Sequence, residues 1–251
     1  MGSDPRTFRP RSDRSDADTA IRGEDSGYAW LRGDEDAACD FLADLAGSGR
    51  ALEFGIGDGR IALPLAGRGI EVAGVDLHEG AIDRLRTEPG GAELDVALGD
   101  MTSVRMTGTY SLVYVVYNTI FNLRTQDDQI RCFENAARHL TDDGAFVIET
   151  TVPSTWTDEH EYVRPRWIGH EGVGLNVCRY DPSTQVFLEN LVRISGTGIT
   201  SGTGVYRLAW PSELDLMARL AGLRLSERWA GWNRDPFVAD STLHVSVYRR
   251  P

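Results

Sequence analysis

The chain has 251 residues with 26 basic against 38 acidic side chains, a formal net charge of −12, and every basic residue is arginine. Without lysine there is no Schiff-base chemistry of the pyridoxal or class I aldolase kind and no Gly-Lys-Ser/Thr phosphate loop, and the acidic balance argues against a nucleic-acid or anionic-membrane binder. At 41% hydrophobic and 25% charged the composition is that of a soluble globular protein, and Cys39, Cys132 and Cys178, with no C-x-x-C pair, indicate neither a disulfide framework nor a cysteine zinc site.

Residues 1–27 mix charges of both signs with Ser and Gly and hold almost nothing apolar, which predicts a disordered tail. Order is expected from Tyr28 and Trp30. From Asp34 an amphipathic helix carries Ala37, Ala38, Phe41, Leu42 and Leu45 on one stripe and stops at Gly47. Short apolar runs at 50–54, 70–75, 93–98, 110–117 and 144–150 then alternate with helical segments at 59–67, 79–88 and 125–140, the last followed by Gly144. Such alternation predicts right-handed crossovers and a parallel sheet with helices on both faces. Between 152 and 210 the pattern changes to about three antiparallel strands, with turns at Asp181-Pro-Ser183 and Gly196-Thr-Gly198. A helix at 212–221, closed by Gly222, leads to strands at 223–230 and 242–249. One α/β domain, 28–151 with 211–251, is therefore expected to carry a β-rich insertion at 152–210.

The first strand runs into Ala51-Leu-Glu-Phe-Gly55-Ile-Gly57-Asp-Gly59-Arg60. Glycines at a strand-to-helix turn let a ligand approach the main chain, with free N–H groups at the helix start. The dinucleotide fingerprint needs a sixth-position glycine, and Arg60 stands there, which disfavours a pyrophosphate. Asp76 ends the second strand in Val72-Ala-Gly-Val-Asp-Leu77, about 20 residues on, where a carboxylate takes ribose hydroxyls. Asp100 ends the third in Leu98-Gly-Asp-Met101, suited to an adenine amino group with Met101 on the ring. The ligand pattern is an adenosine without a pyrophosphate.

On these motifs the chain resembles the class I S-adenosylmethionine-dependent methyltransferases. Leu52-Glu-Phe-Gly-Ile-Gly-Asp-Gly59 is similar to their first motif, Gly74-Val-Asp76 to the ribose motif and Gly99-Asp-Met101 to the adenine motif. Asp58 departs from the small Thr or Ser often found at its position. Arg60-Ile-Ala-Leu-Pro-Leu-Ala66, Asn118-Thr-Ile, Asn122-Leu, Thr125-Gln126 and Trp210-Pro-Ser-Glu-Leu-Asp-Leu-Met-Ala218 resemble bacterial enzymes acting on small molecules. The resemblance implies a Rossmann-like, doubly wound, mostly parallel seven-stranded sheet with a reversed last strand, the small antiparallel insertion acting as lid. It implies S-adenosyl-L-methionine as cofactor and S-adenosyl-L-homocysteine as product. Glu53, Gly55 and Gly57 would face the methionine part, Asp76 with Leu77 the ribose, and Asp100 with Met101 the adenine, while Tyr28 and Tyr117 complete the cofactor contacts.

Methyl transfer from a sulfonium needs the nucleophile held in line in a water-poor pocket. An amine needs only to lose a proton, whereas a phenol or hydroxyl needs a positioned base. Open α/β sheets bind ligands at the carboxyl ends of their strands, which selects Asn118, Asn122 and Glu149 as acceptor candidates. Asn118 has a turn or cap role as its lesser alternative, and Glu149 reads equally as a solvated strand end. No base announces itself: His78, His139 and His244 read as structural, and His160 and His170 fall in or near the insertion. No H-E-x-x-H or carboxylate cluster suggests a metal. The aromatic-rich insertion and its flanks suit a ring-bearing small molecule or simply fill their own core. The reading is methyl transfer to N or O of a small molecule in secondary metabolism, in the cytoplasm, with no nucleic-acid or membrane partner. A methyltransferase acting on a macromolecule and a non-catalytic cofactor-binding module are the alternatives.

Overall fold

A computed structural model describes residues 35–251; the tail at 1–27, Tyr28 and Trp30 lie outside them. The chain divides into two compact units, one of them Glu159–Tyr206 and the other closing at Asp158 and resuming at Arg207. No helix among the described residues is long and apolar enough to cross a membrane.

The larger unit opens with α1 (Glu35–Ala46), β1 (Ala51–Phe54), α2 (Ala62–Gly67), β2 (Val72–Asp76), α3 (Glu79–Thr87) and β3 (Asp95–Leu98). It continues with β4 (Tyr110–Val115), α4 (Gln126–His139) and β5 (Leu140–Thr151). The smaller unit is a four-stranded sheet in the order β6 (Glu161–Gly169), β7 (Gly172–Asp181), β8 (Val186–Ser195) and β9 (Gly198–Arg207), with β6, β7 and β8 antiparallel neighbours. The chain then adds α5 (Pro211–Leu220), β10 (Arg224–Trp229) and β11 (Leu243–Arg249) to the larger unit.

The larger sheet has seven strands in the order β10-β11-β5-β4-β1-β2-β3. The strands β1 to β5 pair in parallel, and β11 runs antiparallel to both β5 and β10. The fully buried runs of β1 and β2 suit a sheet covered on both faces. On one face Phe41 and Leu42 of α1 join Tyr114, Val147, Val245 and Trp232 in one core, the Trp232 ring lying edge-on to Phe41 at 5.5 Å. On the other, Phe133 of α4 meets Phe146 and Tyr248 at 5.1 and 5.4 Å.

Local chemistry explains the element ends. Thr125 caps α4 by accepting the Asp128 N–H at 3.0 Å, with Asp127 and Asp128 in the first turn and Arg138 and His139 in the last, matching the helix dipole. Pro211 opens α5, and Gly222 follows its end at φ 76°. Gly144 departs from expectation. The helix ends at His139 and passes into β5 without a turn. Gly144 lies inside that strand, where a Cβ would press on Leu140 Cδ2 and the Tyr110 carbonyl at 3.0 and 3.1 Å. The insertion likewise has four strands where about three were expected, because its polar residues alternate with apolar ones too irregularly to mark each strand.

Strand order runs outward from β1 to β2 and β3 on one side and from β4 to β5 on the other. The carboxyl ends of β1 and β4 therefore flank the point where the winding reverses, which is where an open α/β sheet offers a crevice.

Candidate active site

At the end of β1 the Gly55 and Ile56 amides both donate to the Val75 carbonyl, at 2.8 and 3.0 Å, and the chain turns off the sheet. Gly55, Gly57 and Gly59 all adopt positive φ, at 79°, 58° and 83°. For Gly55 there is a second reason: a Cβ would lie 2.6 Å from the Thr119 methyl. At Gly57 a Cβ would meet nothing within 4 Å among the described residues, which leave this part of the turn open. The turn is tied to β2 through Asp76, whose carboxylate accepts the Gly57 N–H at 2.8 Å and the His78 N–H at 2.9 Å. Asp76 is only 4% exposed, while its neighbour Leu77 is 42% exposed. A buried carboxylate thus stands beside an accessible apolar side chain.

Glu53, on β1 two residues before Gly55, is buried. Its Cα partner on β4 is Tyr114, whose hydroxyl donates to Glu53 Oε2 at 2.9 Å. The Ala62 N–H at the start of α2 also favours the charged form of the carboxylate. Burial nevertheless raises its pKa to about 8, with Asp76 and Asp58 adding to the rise and Tyr114 and Ala62 opposing it. The same burial lifts Tyr114 well above an ordinary phenol.

After β3, Asp100 accepts the Thr102 N–H at 2.8 Å. The loop is held from α4: Asn135 Nδ2 donates to the Met101 and Val104 carbonyls at 3.0 and 3.1 Å, and His139 Nε2 accepts the Met106 N–H at 3.0 Å. Burial lowers the His139 pKa, in keeping with an imidazole that accepts. Asn135 was not singled out in the sequence, where a polar residue among helix charges carries no mark.

After β4 two consecutive non-glycine residues are left-handed, Tyr117 at φ 54° and Asn118 at φ 60°. Such a conformation is uncommon for either residue and persists where neighbours over-determine it. Here β5 does so: the Glu149 carboxylate accepts the Tyr117 N–H, and Asn118 Oδ1 accepts the Thr151 N–H at 2.6 Å and the Thr150 hydroxyl at 2.7 Å. Glu149 is 1% exposed, which overturns the solvated strand end. Asn118 precedes a short 3₁₀ turn, Thr119–Asn122, but makes no side-chain cap bond to it. Asn122 closes that turn, outside these contacts. The Arg60 guanidinium lies 3.9 Å over the Tyr117 ring and its Nε pairs with Glu35 at 2.9 Å. Tyr117 Oη, Asn118 Nδ2 and Thr151 Oγ1 are buried with no hydrogen-bond partner among the described residues. His244, opposite Thr150 across the strands, is buried, bonds Ser246 through Nδ1 at 2.8 Å, and is pulled down to about 3 by burial, so it stays neutral.

The carboxyl ends of β1, β2, β4 and β5 therefore bring together the glycine turn, two buried acids facing it, and a strained loop with a third. Residues 51–144 match the family model described as a methyltransferase domain. The structure of the CcbJ methyltransferase from Streptomyces caelestis is 34% identical, covers 94% of this chain and 95% of its own, and superposes with a TM-score of 0.83. The chain belongs to the S-adenosylmethionine-dependent methyltransferases. This methyltransferase is also similar to the cypemycin N-terminal methyltransferase of a Streptomyces species, 25% identical over 79% of this chain and 82% of that one. It shares its fold with the sugar N-methyltransferase KedS8 from Streptoalloteichus, at 18% identity and a TM-score of 0.67, covering 100% of this chain and 99% of that one.

Proposed function

We propose that this methyltransferase transfers the methyl group to the nitrogen of a small-molecule amine, with the cofactor seated on the Gly55–Gly57 turn. When bound, S-adenosylmethionine supplies an electrophilic methyl on a sulfonium. The open space at Gly57 leaves the main chain accessible to the cofactor's amino-acid part. The Asp76 carboxylate, already fixed by two amide N–H groups, keeps lone pairs for the ribose hydroxyls, with Leu77 against the nucleoside. Asp100, and Met101 whose carbonyl accepts from Asn135, serve the adenine end.

The observation that carries the acceptor assignment is Glu149. A buried carboxylate at the end of β5, fixed by the Tyr117 amide, suits an ammonium that must be held and then lose its proton. Asn118 Nδ2, Thr151 Oγ1 and Tyr117 Oη offer further polar contacts beside it. The cypemycin relative, an N-terminal methyltransferase by name, supports nitrogen over oxygen. Tyr162, Trp167 and Tyr206 of the four-stranded unit suit a ring-bearing molecule, and the proposed setting is secondary metabolism in the cytoplasm.

Calorimetry with S-adenosylhomocysteine tests the cofactor seat: Asp76→Ala is expected to weaken binding about tenfold or more through lost charge-assisted hydrogen bonds, and unchanged affinity in a folded variant would refute the placement. Glu149→Gln is expected to keep cofactor affinity and lose kcat/KM for an amine acceptor. Retained kcat/KM would remove Glu149 from the acceptor site.

A further inference from the structure

We infer that Tyr114 is a positioning residue for the cofactor site: with the Ala62 amide it holds the buried Glu53 carboxylate, and cofactor binding draws a proton off that carboxylate. The inference rests on the proposed seating of the cofactor's cationic amino-acid end over the Gly55–Gly57 turn.

The geometry is specific. Glu53 and Tyr114 are register partners on adjacent parallel strands, so the phenol lies alongside the carboxylate rather than reaching for it. Both side chains are buried and joined by a 2.9 Å hydrogen bond. The Tyr114 hydroxyl is bonded to the carboxylate and the Ala62 N–H also acts on it, an arrangement that favours the anion.

The surroundings oppose it. Asp76 from β2 and Asp58 from the turn are the charged groups acting on Glu53, and both are acids. Cys39 of α1 and Tyr117 at the end of β4 also sense Glu53, and burial raises both, leaving them neutral near pH 7. Desolvation and like charge thus hold a proton on Glu53 up to about pH 8. A cation arriving above the turn reverses the balance, and the donors from Tyr114 and Ala62 then solvate the anion in place of water. By linkage, affinity rises with pH while Glu53 carries its proton in the free protein and loses it in the complex.

The test is calorimetry of S-adenosylhomocysteine binding to the full chain between pH 6 and 8.5, in two buffers of different ionisation enthalpy. The wild type is expected to bind more tightly as pH rises and to release a proton near pH 7. Tyr114→Phe removes one donor and moves Glu53 further up; it is expected to bind about tenfold more weakly at pH 7, with the gap narrowing toward pH 8.5. Glu53→Gln is expected to flatten the pH dependence and abolish proton release. A purely structural role for Tyr114 would cost the same factor at every pH, and either that result or a wild-type profile without proton release would overturn the inference. Where Tyr114→Phe fails to fold, the wild-type and Glu53→Gln profiles decide. Asp76→Ala separates the two levels of argument: weakened binding in that variant with a flat wild-type profile refutes only the proton coupling, whereas unchanged binding refutes the cofactor seat itself.

Discussion

Single residues carry two kinds of constraint at this site, backbone conformation and the charge state of buried acids. Gly55 meets the first twice over, through its positive φ and through the Thr119 methyl 2.6 Å from where a Cβ would lie. Gly55→Ala is expected to destabilise the protein by about 1–3 kcal/mol. Adding Thr119→Ser should recover only the steric part, since the backbone strain remains; full recovery in denaturant unfolding would show that φ costs little here. Glu53 illustrates the second constraint. Its folded pKa, about 8, lies above the carboxylate's ordinary 4.5, so the folded state binds the proton more tightly than the unfolded chain. Stability contributed by that proton is complete below pH 4.5 and is lost as pH rises through 8. The cofactor-free protein is therefore expected to melt at lower temperature at pH 8.5 than at pH 6, and Glu53→Gln to reduce the difference; a slope unchanged in that variant would place its origin elsewhere. The glycine turn at Gly55 and Gly57 and the placing of Glu53 and Asp76 near strand ends were legible in the sequence because the motif fixes their spacing. Tyr114, Thr119 and Asn135 were not, since each acts across strand register or helix packing, which spacing along the chain does not encode.

Elements are positioned by polar staples as much as by apolar burial. The loop after β4 holds two left-handed residues because Glu149, Thr150 and Thr151 of β5 engage it. Asn118→Ala removes an acceptor from two buried donors and is expected to cost about 2–3 kcal/mol, read by denaturant midpoint, together with most of the transferase activity. A midpoint within experimental error of wild type would mean the loop is held by other contacts. The loop after β3 depends on α4 in the same way. Asn135→Leu should weaken S-adenosylhomocysteine binding, although Asn135 lies on a helix and not at a strand end, because it frees the Met101 and Val104 carbonyls. Affinity equal to wild type would show that Asp100 and Met101 need no such support. The order of strands and helices was legible from the alternation of apolar runs and helical stripes. The junction between α4 and β5 was not: Gly144 resembles a helix stop, but close packing against Tyr110 and Leu140 is what requires glycine there.

Across the whole molecule, the net charge of −12 and the absence of lysine take on a narrower meaning. Three of the acids, Glu53, Asp76 and Glu149, are buried at the site and each is held by backbone or phenol donors. The remainder gives a field that attracts cations, so kcat/KM for a cationic acceptor is expected to fall with ionic strength more steeply than for an uncharged one. The sequence changes pattern after residue 152 and the smaller unit spans Glu159–Tyr206, while its fourth strand was hidden by its mixed polar and apolar character. The most direct test of the proposed function is transfer of an isotopically labelled methyl from S-adenosylmethionine to matched small acceptors that differ only in bearing an amine or a phenol. Label on the amine nitrogen is the expected result. Label on the phenol oxygen alone, or tight cofactor binding without transfer to any acceptor tried, would contradict it.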